Sequence, residues 1–363
     1  MNRNVYVSSF SVKAPGINTR EDLNKLMFND DYPILDEKNY SPYHKKVLLG
    51  TLDLKENSEH YPKRSDQKVM RQDVIAATMC ACELFEEAQL SKEDLSNMPL
   101  YISNGICVDQ GFVKDDFIVL PLNSTTEWKS EKEKMKFYYQ GIPPLTALQT
   151  LSAATTHFIA QYCGIYGDNT TFGITSQSTY YALEEGFHKI ASGENDIVLV
   201  GGSNCSGPYS YLTYKNFSED QSLWKESTCA VVMLLESAES IGRRNAKALC
   251  EIKQLKCSKK VPVLYGNYEN QMFDELLNEN PAEMGIFSGS FTDSEFILQS
   301  KATSLVWNQS FSWFEKLGNL GAASVLMNIA GGIRLLEKHS LEYVECVDRD
   351  PYSRESYVRI CAF

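Results

Sequence analysis

The hydrophobic period of this chain switches between 2 and 3.6 along its length. Strands separated by amphipathic helices can bury both faces of a sheet only in a layered α/β fold with right-handed crossovers. Residues 5–12 alternate as a strand, and the polar run 18–64, rich in Asp, Asn, Lys and Tyr, reads as loops with one short helix. Residues 72–89 carry Val74, Ala77, Cys80, Leu84, Phe85 and Ala88 at helical spacing and are predicted to form an amphipathic helix. A strand at 100–103, a helix at 146–163 closed by Gly164, a strand at 169–174 and a helix at 179–191 follow. Strands at 196–200, running into Gly201-Gly202, and at 230–235 complete this half.

The same grammar then repeats. Strands are predicted at 248–255, 284–287, 303–307, 342–347 and 357–362, with helices at 269–278, 294–300 and 319–338. The expectation is a duplicated α/β unit, residues 1–240 and 241–363, built from five-stranded mixed-sheet halves stacked with helices in an αβαβα arrangement.

Charge and composition narrow the function. With 35 Lys and Arg against 47 Asp and Glu, the formal charge is −12, and the basic residues are scattered among acidic ones, which argues against a nucleic-acid binder that tracks phosphates. The longest apolar stretch, 322–333, contains Asn328 and two glycines and is too short to cross a bilayer. The opening residues lack the continuous apolar segment of a signal peptide, so a soluble cytoplasmic protein is expected. Ten cysteines occur without a CxxC pair, and Cys80-Ala81-Cys82 has the wrong spacing for a zinc knuckle; structural thiols and no metal are expected.

Three strings carry a resemblance. Residues 168–183, DNTTFGITSQSTYYAL, are similar to the strand, sharp turn and buried helix around the nucleophile of the ketosynthase branch of the thiolase fold. Residues 192–202, SGENDIVLVGG, resemble that family's SGxxDxVLxGG run, and Leu320-Gly321-Ala322-Ala323 matches the LGAA that opens its last helix. The resemblance spans nearly the whole chain and implies a thiolase-like fold.

The departures bear on function. The family's nucleophilic cysteine falls on Ser176, its first histidine on Ser288, its second on Gly318 and its lysine on Trp313. Beyond Ser176 only His188 and His339 remain as imidazoles, and His188 lies about 18 Å along the helix axis at ~1.5 Å per residue. A serine nucleophile needs an adjacent base, and no GxSxG elbow surrounds Ser176; the alternative is that Thr175 and Ser176 cap the buried helix with their side-chain oxygens. Gly201-Gly202-Ser203-Asn204 lacks the Lys-Ser/Thr of a P-loop, and Glu184-Glu185 reads as a solvated helix face.

A ketosynthase-like chain without these four groups resembles the chain-length factors, the ketosynthase beta subunits, of type II polyketide synthases. The resemblance implies a catalytically inactive subunit of an acyltransferase complex, paired as a heterodimer with an active ketosynthase alpha subunit. It also implies substrates carried on the phosphopantetheine of an acyl carrier protein, with no cofactor of its own and no nucleic-acid or membrane partner. By the same resemblance Val108, Gly111 and Phe112 line the elongation channel, for aromatic polyketide or aryl polyene products. The family's usual Gln at the cysteine position is Ser176 here, with Gln177 beside it, and the GEG string before Ala230 is missing. A condensing or acyl-transfer enzyme using Ser176 is the other reading.

Overall fold

The computed structural model describes residues 3–29, 32–33, 35–40, 45–56, 58–105, 130–133, 135–136, 145–207, 223–258, 281–351 and 354–363. Ten strands form one hydrogen-bonded sheet. Its N-terminal series is β1 (Val5–Lys13), β4 (Leu100–Asn104), β5 (Asn169–Gly173), β6 (Ile197–Asn204) and β8 (Cys229–Ser237). Its C-terminal series is β9 (Cys250–Cys257), β10 (Met284–Ser288), β11 (Gln309–Ser312), β12 (Tyr343–Arg349) and β13 (Glu355–Cys361). Across the sheet the order is β11-β10-β12-β13-β9-β1-β8-β6-β4-β5. Read outward from the β1–β9 junction, each series runs first, fifth, fourth, second, third strand. In each, the fifth strand is antiparallel to its neighbours, whereas the second, third and fourth are parallel.

The sheet folds around two helices that occupy equivalent places in the two series, between third and fourth strands: α7 (Ser176–Ala191) and α11 (Ser324–His339). They touch each other, and each touches strands of both series. In α11 the residues from Ser324 to Ile333 are all buried, which is why that stretch is apolar on every side. Outside the sheet, α3 (Gln72–Ala88) packs on β1, β6 and β8, and α6 (Ala154–Cys163) packs on α3 and β4. On the other series α9 (Asp293–Val306) lies against β11, with Phe287, Val306, Trp307, Val347 and Tyr357 buried together. The layers are helix, sheet, helix, sheet, helix, a thiolase-like arrangement.

Four local expectations need correction. Residues 303–307 are not a strand: α9 runs through Val306, because Gln299, Thr303 and Val306 fall on one buried helical face, and β11 begins at Gln309. The polar run 18–64 holds, besides α1 (Arg20–Phe28), a hairpin of β2 (Asp36–Tyr40) and β3 (Lys45–Gly50). Its alternation is hidden by charged residues, yet Val47 and Leu49 are fully buried where β3 pairs with the short strand β7 (Trp224–Ser227). The helix expected at 146–163 is two, α5 (Thr146–Gln149) and α6. Side chains from elsewhere divert the intervening carbonyls, Arg71 Nη1 donating to Gln149 at 2.5 Å and Asn104 Nδ2 to Ser152 at 2.6 Å. The strand expected to end before Gly201-Gly202 instead runs through them to Asn204. Gly202 is required there because a Cβ would lie 2.3 Å from the Ala322 carbonyl oxygen. The helix expected at 269–278 lies outside the described residues.

Candidate functional site

The C-terminal ends of the parallel strands, the start of α7 and the start of α11 converge on a buried polar cluster. Ser176 opens α7 and is almost wholly buried. Ser288, the last residue of β10, donates its hydroxyl to Asp348 Oδ1 at 2.5 Å and accepts from Asn328 Nδ2 at 2.7 Å. Asn328 also donates to the Val347 carbonyl at 3.0 Å. No cation pairs with Asp348 among the described residues, and burial is the main influence on its carboxyl, pushing its pKa up to about 7. The Ser176, Ser288 and Ser324 hydroxyls favour the charged form, while Asp350 opposes it. Among the described residues only Ser288 closes a well-formed hydrogen bond on this carboxyl. Asp348 Oδ2, Ser324 Oγ, Asn328 Oδ1 and Gln177 Oε1 are buried with no hydrogen-bond partner among the described residues.

Thr175, the N-cap of α7, makes no side-chain capping bond, contrary to the expected cap. Its hydroxyl donates instead to Asp350 at 3.2 Å and accepts from Arg354 Nη2 at 3.3 Å, while Arg354 Nε holds Asp350 at 2.7 Å. The turn between β12 and β13 is thereby fastened over the start of α7. On the other side, Thr179 Oγ1 donates to the Ala322 carbonyl, locking the first turn of α7 to the 3-10 turn Gly321–Ala323 before α11.

Of the four family positions, Ser176 and Ser288 converge on Asp348. Gly318 has φ +72°, and a Cβ there would sit 2.5 Å from the Lys225 carbonyl carbon. β7 presses on it through Asn319 N to Lys225 O at 2.9 Å and Ser227 N to Asn319 O at 2.9 Å. Trp313 is fully buried in the main core, edge-on to Phe311 and against Gly331. Val108, Gly111 and Phe112 lie outside the described residues. His188 and His339 are both exposed at the surface. Asp348, Ser324, Asp350 and Arg354 were not singled out from sequence. Asn328 was the visible signal, a lone amide in an otherwise apolar helix.

A carboxyl near neutrality beside a hydroxyl at a helix N-terminus can exchange a proton with that hydroxyl, and the helix dipole would favour the resulting oxygen charge. Among the described residues no imidazole or ammonium is hydrogen bonded to the cluster. Among the described residues no group of His, Cys, Asp and Glu could hold a metal ion, and no helix is long and apolar enough to cross a membrane.

Duplicated three-layer halves with a nucleophile-position residue at the start of a buried central helix define a ketosynthase-type, thiolase-like fold. Residues 2–229 match the family model for the beta-ketoacyl synthase N-terminal domain, and the chain belongs to the beta-ketoacyl synthase family. Solved structures of similar fold cover 100% of this chain and are themselves covered 100%. One is a beta-ketoacyl synthase from Burkholderia phymatum, at 12% identity and a TM-score of 0.77. Another is the ishigamide ketosynthase/chain length factor, at 16% identity and 0.74. A third is a type II polyketide synthase acyl-carrier protein in complex with its ketosynthase bound to the hexaketide, at 15% identity and 0.72. A search of curated proteins gives no match.

Proposed function

We propose that this chain is a non-catalytic, chain-length-factor-type subunit that pairs with an active ketosynthase and shapes the channel in which a polyketide chain grows. The observation that carries the reading is Gly318. The family's second histidine is missing there, and β7 fills the space that any side chain would need, so the departure is built into the backbone. The ishigamide ketosynthase/chain length factor, among the similar structures, supports the assignment. Residues 1–240 and 241–363 are the two halves of this subunit. Its substrates ride on the phosphopantetheine of an acyl carrier protein, delivered mainly through the ketosynthase.

Association has a physical motive. β5 is an edge strand of the sheet, and the residues just before and after it expose Tyr166 and Ile174. The strand itself, Asn169–Gly173, is Thr-rich, so the apolar contribution comes from its flanks. Co-expression with the ketosynthase of the same gene neighbourhood should yield a stable heterodimer. A well-behaved monomer indifferent to the ketosynthase would overturn the reading. Within the heterodimer Val108, Gly111 and Phe112 gate the channel: Gly111→Phe should shorten the product and Phe112→Ala lengthen it or blur its length. Product profiling decides, and variants that change yield while leaving the length distribution untouched would move the gate elsewhere.

A second reading is favoured by one observation, the Asp348 carboxyl facing Ser176: an acyl-transfer enzyme in which Asp348 is the base for a Ser176 nucleophile. The two part in mass spectrometry after incubation with acyl carrier protein thioesters. The subunit reading expects no adduct. A stable acyl mass that disappears in Ser176→Ala would establish the second.

A further inference from the structure

Away from this cluster, two thiols meet between helices of the outer layer. Cys82 lies in the middle of α3, and Cys163 is the last residue of α6, just before the left-handed Gly164. Their Sγ atoms are 3.8 Å apart, across 81 positions of sequence. Both are partly exposed, unlike the fully buried Cys80 and Cys229, and no disulfide joins the described cysteines. We propose that Cys82 and Cys163 are a reversible redox-modification site, closing to a disulfide that ties α6 to α3 when a low-molecular-weight disulfide of the glutathione class is present.

Closing the bond shortens the 3.8 Å separation of the two sulfurs to about 2.0 Å. Cys82 is the attacking group. The neighbouring Cys163 thiol donates to it and holds its pKa below the ordinary value, whereas Cys163 is pushed above by the same contact and by burial. In the first step the Cys82 thiolate attacks one sulfur of the oxidised reagent, a mixed disulfide forms, and one reduced thiolate leaves. In the second, the Cys163 sulfur loses its proton and attacks the Cys82 sulfur, and the second reduced thiolate leaves. Two electrons pass from the cysteine pair to the reagent, and two protons are released to the two departing thiols.

Geometry also says what the bond would do. α6 leads directly into the edge strand β5, and Thr156 on α6 is hydrogen bonded to Thr171 on β5 at 2.7 Å. α3 is embedded against β1, β6 and β8. A covalent link at Cys82–Cys163 would therefore tie the edge unit of the sheet to its interior and suppress local opening of α6 and β5. This inference is independent of the role assigned to Ser176.

The test uses the full chain, folded, incubated with oxidised glutathione, quenched by acid, alkylated and mapped by non-reducing peptide mass spectrometry. The expected result is a Cys82–Cys163 cross-linked peptide as the first disulfide formed, reversed by dithiothreitol, with slower amide exchange in α6 and β5. The Cys163→Ser protein should instead accumulate glutathione on Cys82, and Cys82→Ser should leave Cys163 unmodified over the same time. Recovery of both cysteines as alkylated thiols, or a wild-type chain that stops at the Cys82 mixed disulfide, would overturn the proposal.

Discussion

The N-terminal and C-terminal series of the sheet end in polar clusters at equivalent places, and the two are satisfied to very different degrees. At the ends of β4 and β6, Arg71 holds Asp73 through two hydrogen bonds of 2.9 Å, the single Ser203 hydroxyl proton is shared between Asp73 at 3.0 Å and Asn104 Oδ1 at 2.9 Å, and Arg71 and Asn104 reach out to the carbonyls of Gln149 and Ser152. At the ends of β10 and β12, Asp348 has Ser288 as its one well-formed donor, and three further side-chain atoms around it lack partners among the described residues. One cluster is a structural clamp closed by a charge pair. The other leaves a buried carboxyl, its pKa pushed up to about 7, among unpartnered polar atoms. The position equivalent to the family's reaction site is thus lined by polar side chains here.

Breaking the satisfied cluster should have the largest effect. Arg71→Met removes the cation from a carboxylate that is wholly buried, and stranding one partner of such a pair costs roughly 3 to 5 kcal/mol. Urea unfolding followed by circular dichroism measures it. A loss below about 1 kcal/mol, the range of exposed pairs, would show that Asp73 is hydrated or paired differently.

The unsatisfied cluster predicts the opposite sign. Asp348 holds its proton up to about 7 in the folded chain against 3.8 for an ordinary aspartate. Between those values the folded state binds more protons than the unfolded one, so stability falls as pH rises from about 4 to about 7 and then levels off. Asp348→Asn keeps an acceptor for Ser288 and removes the titration. At pH 8 it should stabilise the protein by up to about 4 kcal/mol and flatten that slope. Denaturant midpoints at pH 5 and pH 8 test both; an Asn variant that destabilises equally at the two would mean that the charged carboxylate is the favoured native form.

The strained backbone comes next. Gly318 sits in the left-handed region against β7, so Gly318→Ala should cost roughly 1 to 3 kcal/mol, the magnitude of a sparsely allowed backbone conformation, before any displacement of Lys225 is counted. A neutral Ala, measured in the same urea titration, would show that β7 can withdraw and that a histidine could be reinstated there.

Much of this contrast was legible before any coordinates. The strand-helix alternation follows from the hydrophobic period, whereas the buried helix after residue 176 and the family positions that fall on Ser176, Ser288, Gly318 and Trp313 came from the resemblance to ketosynthases. What escaped has a physical cause. β7 and β3 are short, and their pairing with residues far along the chain is decided by tertiary contacts that no local pattern carries. Asp348 hides in the strand run Val344-Glu345-Cys346-Val347-Asp348, where a polar residue at the end of a strand looks like a turn signal. The hydroxyls around it, Ser176, Ser288 and Ser324, come from three other elements. Thr175 looked like a helix cap by residue type, but Asp350 and Arg354, brought near by the β12–β13 turn, outcompete the backbone for its hydroxyl.

The smallest expected effect is the most diagnostic. Ser176→Cys restores the family's nucleophile atom for atom, and a buried site of this size accepts sulfur for oxygen at little cost in stability. It should restore no turnover. A thiol there gains the helix N-terminus, which favours thiolate, but burial and a neighbouring Asp348 carboxylate both disfavour a second negative charge, and no imidazole stands by to take the proton. The variant should therefore alkylate slowly with iodoacetamide at neutral pH and leave malonyl-acyl carrier protein intact by mass spectrometry. Ser176→Cys combined with Asp348→Asn removes the repulsive charge and should alkylate faster than the single variant, still without decarboxylation. Decarboxylation by either protein would show that the scaffold supplies the missing electrostatics from elsewhere. Faster alkylation by the double variant, with the malonyl group untouched, would locate the silence of this site in its lost imidazoles and closed Gly318 pocket, with the nucleophile position a lesser part of it.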